Sequence, residues 1–176
     1  MAAAGKETIH FIITGGTIDS YYNGAKDTVF PRGESIIPSY VTNLKLSVKT
    51  VFTKVCMKDS RELTTNDRKK ILLVIEKSPH SKFIITHGTY TMPDTARFID
   101  AHLKRKGAAI IFTGPMVPLE GFTGSDGGFN LGFSVAKALD LKSGIFVCMN
   151  GAMLEPQAVQ APAHERTHGE RERHRP

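Results

Sequence analysis

Apolar and polar positions fall into two periods along the chain, and the switches between them mark out its elements. Short β-branched and apolar runs at Thr8–Thr14, Lys82–Thr86, Ala108–Thr113 and Gly144–Met149 predict buried strands. Lys45–Met57 alternates and predicts one strand or two. Elsewhere the spacing is helical. Thr64 with Asp67 predicts an N-cap, and Ile71, Leu72 and Ile75 the apolar stripe of a helix ending near Lys77, broken by Ser78-Pro79-His80. Met92, Ala96, Ile99 and Leu103 predict a helix from about Met92 to Lys106, stopped by Gly107. Phe129, Phe133, Ala136 and Leu139 predict the buried face of a third, from about Gly128 to Leu141, capped by Ser125 or Asp126. Ser35–Asn43 predicts a short helix with Pro38 in its first turn. Asp19–Glu34 shows neither period and predicts a long loop of the kind used as a lid or binding segment.

Strands alternating with helices predict repeated βαβ units. The fold class is therefore α/β, three-layered, with a mostly parallel sheet and helices on both faces. Three strands end alike, as Thr14-Gly15-Gly16-Thr17, Thr86-His87-Gly88-Thr89 and Thr113-Gly114. In a parallel sheet these ends share one edge, and ligands bind in the crevice outside it. Thr17, Thr89 and Ser60 sit one step further into the loops than Thr14, Thr86 and Thr113, whose hydroxyls are expected to satisfy local backbone. Asp126 and Asn130 are expected to cap and brace a helix.

Thr14-Gly15-Gly16-Thr17-Ile18, and Thr86-His87-Gly88-Thr89 followed by Thr91-Met92 and Thr95-Ala96, resemble the two signature motifs of the bacterial-type L-asparaginase and glutaminase family. Thr113-Gly114-Pro115-Met116, with Ser125-Asp126-Gly127 and Asn130, is similar to a third segment of that family. The match runs from about Thr8 to Val159 and corresponds to the family's N-terminal domain. The resemblance implies an asparaginase-like domain over residues 1–160, hydrolysing the side-chain amide of asparagine or glutamine and releasing ammonia. It implies Thr17 as nucleophile, helped by Tyr22 or Tyr21, and Thr89 in a second catalytic group. Substrate would be held by Ser60, Arg61, Gly88 and Tyr90, with no cofactor and no metal. Tyr90 stands where the family has aspartate, Arg61 where it has Gln or Ser, and the family's lysine would fall near Ala161.

Composition changes this picture little. Of 176 residues, 40% are hydrophobic and 23% charged, ordinary values for one globular domain. The net charge of +6 is spread over helices and tail rather than drawn into a stripe, so no nucleic-acid partner is expected. No run reaches the roughly 18 apolar residues of a membrane span, and no apolar leader follows Met1, so the expectation is a cytoplasmic protein with no membrane partner. Cys56 and Cys148 read as two small buried hydrophobes in a reducing compartment. Residues 161–176 carry four Arg, three Glu and three His with nothing to bury, and predict a disordered basic tail whose His164 and His168 are incidental. The resemblance implies a small-molecule amino-acid amide as the partner and also homo-oligomerisation.

Two rival readings differ in chemistry. A non-catalytic relative would keep the pocket and bind a small amino acid or carboxylate. A nucleotide-binding domain built on Gly15-Gly16 is disfavoured, since the chain has neither a dinucleotide fingerprint nor a Walker sequence.

Overall fold

The strand predictions meet in one sheet. A computed structural model describes residues 7–121 and 124–159; the predicted tail at 161–176 lies outside the described residues. Strands β1 (Thr8–Gly15), β4 (Lys49–Lys58), β5 (Lys82–Thr86), β6 (Ala109–Thr113), β7 (Gly144–Met149) and β8 (Ala152–Leu154) form a sheet in the order β4-β1-β5-β6-β7-β8. All neighbours are parallel except β7 and β8.

The pleat sends alternate side chains to two cores. Ile12, Phe83, Ile85, Ile110 and Phe112 pack under α2 (Thr65–Lys77) and α3 (Met92–His102). Ile9, Phe11, Ile13, Ile84 and Ile111 pack under α1 (Ile37–Asn43) and α4 (Gly127–Asp140). The fold is thus the expected three-layer α/β arrangement with helices on both faces. β1 lies between β4 and β5, with Phe11 opposite Phe52 on one side and Ile84 on the other. The chain leaves β1 toward β4 and returns to β5 on β1's far side, so the strand order reverses at β1 and β5.

The capping box expected at Thr64 and Asp67 is formed, and Lys58 adds an ion pair to Asp67 at 2.7 Å. That amine, with the Thr64 backbone bond, holds the Asp67 carboxyl down at about 2.

Four details differ from the periodicity. First, residues 19–34 are not a loop: β2 (Ser20–Asn23) and β3 (Thr28–Pro31) pair as an antiparallel hairpin. Each strand is only 4 residues long, too short for its aromatic and β-branched content to show as a period. Second, α3 stops at His102 because Glu76 of α2 accepts from the amides of Lys104 and Arg105, drawing the chain off the helix. Third, α4 buries Gly127, Asn130, Leu131, Ser134 and Ala138. Phe129 and Ala136 face outward, because small side chains let this helix lie close on the sheet. Fourth, Asn150 and Gly151 both have positive φ and turn β7 directly into β8, the usual two-residue hairpin chemistry.

Candidate functional site

The crevice expected at the strand ends exists as a cleft of about 280 Å³. Every loop at this edge of β4, β1, β5 and β6 contributes: Gly16 and Thr17 after β1, Asp59 and Arg61 after β4, Thr89 and Tyr90 after β5, Met116 and Pro118 after β6. The hairpin closes it with Ser20, Val29 and Pro31. Its position is the reversal between β1 and β5, where open α/β sheets hold ligands.

Glycines let these loops meet. Gly16 has φ of 83°, and a Cβ there would lie 2.5 Å from the Gly88 nitrogen. A Cβ on Gly88 would lie 2.8 Å from Ser60 Oγ. The backbones after β1, β5 and β4 are therefore stacked closer than any side chain allows. Hydroxyls tie the floor to the sheet: Thr14 donates to the Thr86 carbonyl and Thr113 to the Cys148 carbonyl, each at 2.8 Å, while Thr86 Oγ1 has no protein partner.

His87 is committed to this floor. Its Nδ1 lies 2.7 Å from the Gly88 carbonyl oxygen, which can only accept, so the proton sits on Nδ1. Nε2 then accepts from Thr95 at 3.0 Å, and Thr95 accepts from Arg68 Nε at 3.2 Å. Burial pushes the His87 pKa down to about 4, opposed by the Gly88 bond. A neutral imidazole with both nitrogens engaged is a brace for the loop that carries Thr89, and not a base for it.

On the cleft wall, Arg61 donates to both Asp59 carboxylate oxygens, at 2.9 and 2.8 Å, and its guanidinium lies 4.8 Å from the Tyr90 ring. The guanidinium holds the Asp59 carboxyl below its ordinary value. The Asp126 carboxylate accepts from the amides of Met116 and Val117 and from Asn130 Nδ2, fixing the loop that presents Met116. Asn130 also donates to the Gly114 carbonyl and accepts from the Asn150 amide, so both residues brace loops. Asp126 makes no side-chain cap bond to α4.

Thr17, Thr89, Arg61 and Tyr90 are thus brought together, with Gly88 beneath them. Ser60 stands behind Gly88, 2% exposed, its Oγ buried and without a protein partner, while its neighbours form the wall. Tyr22 is outside the lining, 48% exposed, and donates to Asp27 at 2.5 Å. It shares the hairpin face of Ser20, Val29 and Pro31, since Tyr22 pairs with Val29 and Ser20 with Pro31; Tyr21 and Phe30 take the opposite face. Ser20, Val29, Pro31, Asp59, Met116 and Pro118 were not anticipated. Met116 belongs to a recognised segment, and Ser20, Val29 and Pro31 lie in the stretch expected to serve as a lid or binding segment.

Among the described residues no group of three or more His, Cys, Asp or Glu is placed to hold a metal ion, and no helix is long and apolar enough to cross a membrane.

The family model described as "Asparaginase, N-terminal" matches residues 8–169. The chain is 32% identical over 168 residues to L-asparaginase 2 of Escherichia coli (strain K12), covering 90% of this chain and 47% of that protein. It is 29% identical over 165 residues to the probable periplasmic L-asparaginase of Haemophilus influenzae, covering 89% and 47%. It spans about half the length of these relatives. In fold it is similar to the probable cytoplasmic L-asparaginase of Campylobacter jejuni, with a TM-score of 0.74 at 24% identity over 88% of this chain and 49% of that one.

Proposed function

The chain belongs to the asparaginase family, and from that membership we propose that it hydrolyses the side-chain amide of asparagine or glutamine with Thr17 as nucleophile. The observation that carries the reading is the convergence of Thr17 and Thr89 on one cleft at the reversal of the strand order. Thr17 Oγ adds to the amide carbon and its proton passes to the leaving nitrogen. The C–N bond breaks and ammonia departs. Water then cleaves the ester, returning a proton to Thr17 and freeing the carboxylate.

A threonine hydroxyl is inert at neutral pH until a neighbour takes its proton. Tyr22 is assigned that help, because it lies on the cleft side of the hairpin and reaches inward by leaving Asp27. Thr89 positions the substrate beside it. Arg61, by turning from Asp59, offers a cation to the substrate's carboxylate, Tyr90 an aromatic wall and Gly88 the close approach of the loops, with Ser60 buried behind Gly88 as its support. Substrate would be a free amino-acid amide in the cytoplasm, in keeping with two unpaired thiols that burial pushes up to about 11. Self-association is part of the same family reading.

One observation favours a second reading, a relative that binds without turnover. Tyr90, with the Arg61 guanidinium against it, gives an amino acid's ammonium group no free anion at that wall. Ammonia release from L-asparagine and L-glutamine at millimolar concentration separates the two. The hydrolase reading expects release by the full chain, raised about tenfold or more by Tyr90→Asp. Release from neither protein, with binding retained, overturns it.

A further inference from the structure

One side chain ties the two ends of the hairpin over the cleft to each other. Asp19 ends the 3-10 turn that starts at Thr17, and it is 0% exposed. Its backbone carbonyl accepts from the Arg32 amide at 2.9 Å, one residue beyond β3. Its Oδ1 accepts from Ser35 Oγ at 2.8 Å and from the Ile36 amide at 2.9 Å. The start of β2 and the segment after β3 therefore close on one residue.

This carboxylate is costly where it stands. A buried charge needs partners on both oxygens, and Oδ2 has none among the protein atoms. Burial raises its pKa against the opposing pull of Ile36, Ser35 and Arg32. Arg32, the cation facing it from the end of β3, is only partly available: its Nε is buried and unpartnered, while Nη2 pairs with Glu120 at 2.5 Å. Beside Asp19 the hairpin is tied by Ser20 Oγ, which donates to the Gly16 carbonyl at 3.0 Å, and by the Arg32–Glu120 pair, while Tyr21, Tyr22 and Val29 are exposed. Its apolar anchors are Ile18 before it and Ile37 after it, both in the core. Asp19 joins those two anchors.

We propose that Asp19 is a positioning residue whose carboxylate holds the β2–β3 hairpin closed over the cleft and fixes the turn that presents Thr17. Its catalytic consequence rests on the hydrolysis proposed above; its structural consequence does not. Asparagine at this position keeps an oxygen for Ser35 and Ile36, whereas alanine keeps none.

The test is hydrogen exchange at the Ile36 and Arg32 amides and across residues 20–30, in the full chain and in Asp19→Ala, Asp19→Asn and Ser35→Ala, with ammonia release alongside. Asp19→Ala should speed exchange at Ile36 about tenfold or more, the scale of losing a hydrogen bond to a charged group. Asp19→Asn should restore exchange and kcat/KM to within about threefold of the parent. Unchanged exchange in Asp19→Ala overturns the proposal, as does an Asp19→Asn that behaves like alanine. If Asp19→Ala does not fold, Ser35→Ala decides, with faster exchange at Ile36 supporting the clamp and unchanged exchange refuting it. A parent protein that releases no ammonia defeats the hydrolase reading alone, because the exchange result still decides the clamp.

Discussion

The cleft has a floor and a cover, and the two are built by opposite means. The floor is the junction of Gly16, Gly88 and Ser60 over the ends of β1, β5 and β4, where the Gly16 backbone stands against that of Gly88 and Gly88 against the Ser60 side chain in the buried interior. Close packing of this kind leaves no room to adjust. The cover is the hairpin from Ser20 to Pro31, largely exposed and secured through Asp19. The floor therefore fixes Thr89 and the start of the turn that carries Thr17, and the cover has few buried contacts beyond its two ends. A segment with few buried contacts opens at low free-energy cost, as a lid needs.

The largest expected effect breaks the floor. Gly16→Ala adds a Cβ 2.5 Å from the Gly88 nitrogen at a φ of 83°, and neither neighbour is a flexible side chain that can yield. It should lower stability by about 4 kcal/mol or more, read from urea unfolding. A loss below about 1 kcal/mol would mean that the loops are not stacked as described.

A smaller effect separates two buried aspartates by sign. Asp67, on the helix side, has its pKa held down at about 2 by Lys58 and the Thr64 cap. It contributes stability above its ordinary value of 3.8 that is lost as the pH falls toward 2. Asp19, under the cover, has its pKa raised by burial, so its contribution is fully present below 3.8 and is lost as the pH rises through the folded value. Melting curves across acid to neutral pH should show Asp67→Asn losing most at neutral pH. Asp19→Asn should match the parent in acid and melt no lower at pH 7. The smallest effect lies in the cover itself. Gly24→Ala meets only the far end of the Tyr22 ring, at 3.7 Å, and should change stability by less than about 0.5 kcal/mol.

The same contrast explains what the sequence disclosed. The floor was legible because a buried parallel strand is a continuous apolar run and because the glycines and threonines after it form recognisable motifs. Thr17, Thr89, Arg61 and Tyr90 all stand in or beside the loops that follow such strands. The cover was legible only as a lid-like stretch and not as a hairpin, because its 4-residue strands carry no measurable period and its contacts, Asp19 with Ser35 and Ile36, pair residues 16 and 17 apart. Helix α4 was read with Phe129, Phe133, Ala136 and Leu139 inward; Phe133 and Leu139 do pack against the core, but small residues and Asn130 are seated on the sheet and Phe129 and Ala136 face out. The end of α3 depended on Glu76 from another helix. Long-range polar contacts of this kind leave no local trace.

The most direct test of the account is ammonia release by Thr17→Ala and Thr17→Ser beside the parent, with melting temperature recorded for each. The account predicts folded variants, a loss of roughly 10²–10⁴ in rate for alanine, and partial activity for serine, which keeps a hydroxyl at the same place. A folded Thr17→Ala that releases ammonia at the parent rate would contradict it.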